Sequence, residues 1–116
     1  GYDTSFYLLG WTPGSIDSHN VLANMMSCQN VEAKVGLFNL GNYCNPRVDE
    51  LIQKALATVD SDARGKLLAE ATEIAVGKNF GVIPVHYQQN TWASKKGYKY
   101  TPRTDERTIV MDLKTQ

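Results

Sequence analysis

Long apolar runs, an excess of one charge and paired metal-ligand motifs are all missing from this sequence. No apolar stretch approaches the roughly 20 residues that cross a bilayer. No secretory leader is visible, and the chain starts at Gly1 without a Met, so a processed or excised piece is expected. The 12 basic and 12 acidic residues cancel. The chain therefore sets up no field to draw in nucleic acid or an anionic membrane, and neither is expected as a partner. His19 and His86 are the only histidines, and Cys28 and Cys44 the only cysteines. None of them forms a close pair such as C-x-x-C or H-x-x-x-H, so no metal and no cofactor is expected. A glycine-rich phosphate loop and a G-x-S-x-G elbow are also absent. The acidic residues fall mostly on the solvent faces of two predicted helices, and nothing in the sequence points to an enzyme.

What is present fits a folded domain. The 116 residues are 42% hydrophobic and 21% charged, too apolar for disorder and right for one modest core. Cys28 and Cys44 are compatible with one disulfide or with two buried thiols. A bridge would close a loop of about 17 residues, contribute roughly 3 kcal/mol in the chain-entropy model, and imply an oxidising compartment.

Tyr2–Trp11 is aromatic and apolar from Phe6 onward and reads as a mostly buried strand ended by Gly10. Asp17 or Ser18 can cap a short helix over Ser18–Cys28, with Val21, Leu22, Met25 and Met26 on one face. Asn45 and Pro46 are a strong helix start. Val48, Leu51, Ile52, Ala55, Leu56 and Val59 then recur at helical spacing. Asp60–Arg64 breaks that helix and begins another, with a stripe of Leu67, Leu68, Ala71, Ile74 and Ala75 and Gly77 as its C-terminal cap. Phe80–Gln89 reads as a second apolar strand, limited in its pairing by Pro84. Ile109, Met111 and Leu113 alternate with Val110 and Asp112 as a half-buried strand. The order strand, three helices, strands is an α/β arrangement without repeats or linkers.

Trp11 has two readings. One is a core side chain beside the sheet. The other rests on its place just beyond a strand end, where open α/β sheets bind ligands. Gly10, Thr12, Pro13 and Gly14 keep the surroundings small, so a solute could approach the backbone while stacking on the indole.

The order of these features resembles a known family. A "GW-T" step after an apolar strand is followed by a short helix and "NYCNPRVDELIQKAL". "DSDARGKLLAEATEIA", "GVIPVHY", "GYKY" and "IVMDLK" come next. Together they look like the C-terminal portion of the extracytoplasmic solute-binding proteins of ABC importers, family 5, the class that takes up dipeptides, oligopeptides, nickel chelates and related solutes. The most specific parts are Y-x-N-P-x-x-D-x-L-I from Tyr43 and D-x-x-x-R-x-x-L-L-x-E-A from Asp60, and the resemblance covers essentially the whole chain. It implies a two-lobed, non-enzymatic protein of the periplasm or cell envelope that closes around its solute and delivers it to a membrane permease. Residues 1–91 would be part of the C-terminal lobe, and 92–116 a crossover and terminal strand returning to the N-terminal lobe. The resemblance further implies a Cys28–Cys44 disulfide, backbone pairing to the ligand at Gly10 and Thr12, and a pocket wall at Trp11.

Peptide binders of that family carry an Asp three residues past the tryptophan, which holds the solute's ammonium group. Here Gly14 occupies that position. An uncharged residue does not offset the desolvation of an ammonium, which points to a solute held without that salt bridge: a modified peptide, an opine-like compound, a chelate or haem. Asp17 aligns better with the acid at the helix start. Without its partner lobe the chain is also expected to self-associate, through strand exchange at Arg107–Lys114. Two other functions compete. A small thiol enzyme would use Cys44 with His19 or His86 and would need a free thiol. An independent helical interaction module would have a self-contained core and no open apolar face.

Overall fold

A computed structural model describes residues 6–115. The chain divides into two compact units whose boundary falls between Pro84 and Val85.

Unit one is built on three helices among the described residues. The first, α1 (Ser18–Val21), widens into a π turn over Leu22–Met26. Its cap is Asp17, whose Oδ1 accepts the His19 amide at 2.7 Å. The second, α2 (Pro46–Ala57), starts as its sequence dictates: Pro46 fills the first helical position and Asn45 Oδ1 accepts the Arg47 amide at 3.0 Å. The third, α3 (Ser61–Thr72), is capped by Asp60 on the Ala63 amide at 2.8 Å and also runs into a π turn, Glu73–Lys78.

Each helix supplies one side of a single core. Leu22, Met25 and Met26 come from the first, Val48, Leu51, Ile52 and Ala55 from α2, and Leu68, Ala71 and Ala75 from α3 and its extension. Ala55, Ala71 and Ala75 are fully enclosed, and side chains this small let two helix backbones approach closely. Two members of the expected α2 stripe stay outside. Leu56 is 64% exposed at the flank of the stripe, and Val59 is 98% exposed beyond the helix end.

Gly77 does not cap α3. It sits inside the π turn, and the chain reverses at Phe80, whose φ is 52°. The amides of Asn79 and Gly81 close that turn on the carbonyls of Ile74 and Ala75 at 2.9 and 2.8 Å. Asn79 is anchored in turn: its Oδ1 accepts from the Tyr43 hydroxyl at 2.8 Å and from Asn45 Nδ2 at 2.9 Å. Those side-chain bonds come from the α2 start, so the helix end is set by tertiary contact and not by glycine.

Between the first helix and α2, a disulfide joins Cys28 to Cys44. The loop it closes satisfies the end of the first helix: the amides of Gly36 and Phe38 donate to the carbonyls of Ala23 and Asn24 at 2.9 and 3.1 Å. Gly36 has φ of +63°, and a Cβ there would lie 2.5 Å from the Ser27 carbonyl oxygen, so only glycine fits. Asn39 is buried and laces the loop, donating to the carbonyls of Ser27 and Tyr43 and accepting the Tyr43 amide. Asp49 ties α2 to the loop by accepting the Cys28 amide at 3.1 Å.

The expected long strands are not seen among the described residues. Tyr2–Ser5 lies outside them, and Phe6–Trp11 is not a strand; Phe6 and Leu8 are each 80% exposed. Phe80–Gln89 likewise contains no strand. A strand exists only by a ladder of backbone bonds to a neighbour, which an apolar run does not supply by itself.

Unit two holds the only sheet among the described residues, β1 (Tyr98–Lys99) antiparallel to β2 (Lys114–Thr115), with Tyr98 opposite Thr115 and Lys99 opposite Lys114. In its coarse sense the α/β class therefore holds, with a minimal sheet. Within Arg107–Lys114 the alternation breaks, because Val110–Asp112 is a 3₁₀ turn whose carbonyl partners are local: Asp112 to Ile109 and Leu113 to Val110, both 3.0 Å. Trp92 donates to Thr108 Oγ1 at 3.0 Å, and Arg103 grips Asp105 through two nitrogens, which holds the Asp105 carboxyl well below its usual range, at about 2.

In urea denaturation, Ile52→Ala is expected to cost about 3 kcal/mol by leaving a cavity, whereas Leu56→Ala shifts stability by less than about 0.5 kcal/mol. Replacing both cysteines by serine is expected to remove roughly 3 kcal/mol through loss of the closed loop.

Candidate functional site

The corner at Gly10–Gly14 lies at the surface of unit one. Gly10, Thr12 and Gly14 are exposed, while Trp11 and Pro13 are half-buried. Trp11 packs against the edge of the helical core and is half-buried there. Its Nε1–H donates to Asn20 Oδ1 at 3.0 Å, and the Phe38 ring meets it in a T arrangement with centroids 4.9 Å apart and planes at 68°. After the corner, the Ile16 amide closes a turn on the Pro13 carbonyl at 3.0 Å, with Ile16 at φ 52°. A β-branched side chain in that region is strained.

Beside this turn is an open cleft of about 390 Å³ lined by Ser15, Asp17, His19, Asn20, Asn24 and Arg64. Arg64, from the first turn of α3, reaches Asp17 with both terminal nitrogens: Nη1 to Oδ2 at 2.7 Å and Nη2 to Oδ1 at 3.1 Å. With the His19 amide also on Oδ1, Asp17 serves as a cap and as half of an ion pair. Nε2 of His19 is buried without a hydrogen-bond partner among the described residues.

Arg64, Asn20 and Phe38 were not foreseen as site residues. Arg64 stands in the D-x-x-x-R pattern from Asp60, but the spacing does not name the carboxylate it meets. Nothing in the local sequence marks Asn20 or Phe38, because both reach Trp11 through the tertiary fold.

Both cysteines are in the disulfide, so a thiol nucleophile at Cys44 has no sulfur to use. No group of three or more His, Cys, Asp or Glu suited to a metal occurs among the described residues. No helix there is long and apolar enough to cross a membrane.

Over 98 residues, 82% of its length, the chain is 30% identical to the "Peptide transport periplasmic protein SapA" of Haemophilus influenzae (strain ATCC 51907 / DSM 11121 / KW20 / Rd), a match that spans 17% of that protein. The likeness supports the same family for this chain. No protein-family model matches it, and no solved structure does.

The Arg64 guanidinium, and after it the His19 amide, holds the Asp17 carboxyl below its ordinary value of 3.8, against the opposing effect of burial. The folded form then binds fewer protons than the unfolded chain, so this contribution to stability is present above about pH 4 and lost as pH falls through the lowered value. Asp17→Asn keeps the capping oxygen and discards the charge. The gap in melting temperature between the native chain and this variant is expected to close as the pH is lowered from about 6 to about 2.

Proposed function

We propose that this chain is part of the solute-binding component of an ABC importer, acting by capture between two lobes and not by catalysis. The observation that carries this reading is the 30% identity over 98 residues to a protein named for periplasmic peptide transport. In this reading, residues 1–91 belong to the C-terminal lobe and 92–116 return to the N-terminal lobe, in an extracytoplasmic protein that hands its cargo to a membrane permease. The exposed apolar side chains of Phe6 and Leu8 favour this over a self-contained helical module, which would not leave such side chains open. The corner Gly10, Trp11, Thr12, Pro13 and Gly14 would supply part of the pocket, with backbone groups for an extended solute and the indole as a wall. Closure of the second lobe would complete it.

The solute in this reading is peptide-like or a related small molecule that does not depend on an ammonium salt bridge. Gly14 offers no charge, and Asp17 is held by Arg64.

Calorimetric titration of the full-length protein tests both parts. An N-acetylated dipeptide amide is expected to bind at least as tightly as the free dipeptide, and Trp11→Ala to weaken binding by about tenfold, or about 1.4 kcal/mol. Tight binding of the free dipeptide that acetylation abolishes would overturn the amine-independent mode. Unchanged affinity in Trp11→Ala would overturn the site.

A further inference from the structure

We infer that Asn20 and Phe38 are positioning residues for Trp11, fixing the indole so that it meets a solute by ring contact alone and receives an apolar or aromatic group in preference to an anionic one. The inference rests on the reading of Gly10–Gly14 as part of a solute pocket and names the chemistry of the group that lies against its wall.

The indole has one donor, Nε1–H, and no acceptor. That donor is already engaged by Asn20 Oδ1 at 3.0 Å. Asn20 is itself well held: its amide donates to the Asp17 carbonyl at 3.1 Å, and its carbonyl accepts from Asn24 Nδ2 at 2.7 Å. Asp17 in turn is clamped by Arg64. The acceptor for the indole is thus fixed through two elements and does not wait for a ligand. Phe38 holds the ring in the T contact, and its own amide is bonded to the Asn24 carbonyl within the disulfide-closed loop. Asn24 therefore links the two supports, touching Asn20 through its side chain and Phe38 through its backbone.

Two consequences follow for whatever lies against the ring. It gains no hydrogen bond from the indole, so a polar acceptor placed there exchanges water for nothing. It also finds no counter-charge: Gly10–Ile16 carries no ionisable side chain, and the next residue, Asp17, is neutralised by Arg64. A carboxylate would be desolvated against the electron-rich ring face without compensation, whereas an aliphatic or aromatic group loses only its contact with water.

The test uses the nitrogen-15-labelled full-length protein, with Trp11→Phe to assign the Trp11 resonances, and two probes sharing one ring: N-acetylphenylalanine amide and phenylacetate. The Trp11 Nε1–H is expected to exchange at least about tenfold slower than a free indole N–H. It should lose that protection in Asn20→Leu and recover it in Asn20→Asp, which keeps the acceptor. Phe38→Leu is expected to shift the Trp11 ring resonances, and Phe38→Tyr to restore them. The uncharged probe should move the ring C–H resonances while the N–H stays protected, and phenylacetate should bind at least about tenfold more weakly. An unprotected N–H, or equal protection in Asn20→Leu, overturns the positioning role. Phenylacetate that binds as tightly as the uncharged probe, or more tightly, overturns the ligand class. If the uncharged probe moves no Trp11 resonance while the protection pattern holds, the positioning role is supported and the solute-pocket reading fails.

Discussion

The bidentate pair between Arg64 and Asp17 joins the first turn of α3 to the residue that starts α1. Asp17 does two jobs with one carboxylate, since the oxygen that caps α1 is also gripped by the guanidinium. Much of unit one follows from that arrangement. The cap fixes where α1 begins, which fixes Asn20 one turn later, which fixes the indole of Trp11. The pair is about two-thirds shielded from solvent, so it is less screened by salt than the rim pairs of Arg47 with Glu50 and Glu70. A planar fork suits this role better than a lysine ammonium, because it meets both carboxylate oxygens and sets an angle as well as a distance.

The disulfide loop supports the same corner from the other side. Its sulfur bridge closes the loop, but its shape comes from hydrogen bonds: Asn39 binding backbone at both ends, Gly36 pressed against the Ser27 carbonyl, and two amides covering the end of the first helix. Phe38 is carried by that framework onto Trp11. The π turn at Leu22–Met26 belongs to the same arrangement, since its widened pitch presents Ala23 and Asn24 carbonyls to the loop.

The helices were legible because their signals are local. Asn45–Pro46 states a helix start without help from the rest of the chain, and Val48, Leu51, Ile52 and Ala55 state which side is buried. The Y-x-N-P-x-x-D-x-L-I pattern turns out to be structural throughout: Tyr43 and Asn45 hold Asn79, Asp49 holds the Cys28 amide, and Leu51 and Ile52 fill the core. The strands were not legible in the same way. Apolar runs at Phe6–Trp11 and Phe80–Gln89 mark segments able to pair, but pairing belongs to two segments at once, and Ile109–Leu113 shows an alternating pattern overridden by local 3₁₀ bonds. In the candidate site, the exposed glycines and Trp11 could be picked out by composition. Asn20, Phe38 and Arg64 could not, since each acts across 9 to 47 positions of sequence.

Ile16 gives the corner a further property. A branched side chain sits there at φ 52°, a backbone state that glycine or asparagine adopts at far lower cost. The bend leaving the tryptophan is therefore imposed by its surroundings and not chosen by the loop. A more permissive residue would relieve the local tension, but it would also let the segment swing. The isoleucine trades comfort for aim: it narrows the directions in which the chain can depart and so keeps the small residues before it pointed one way.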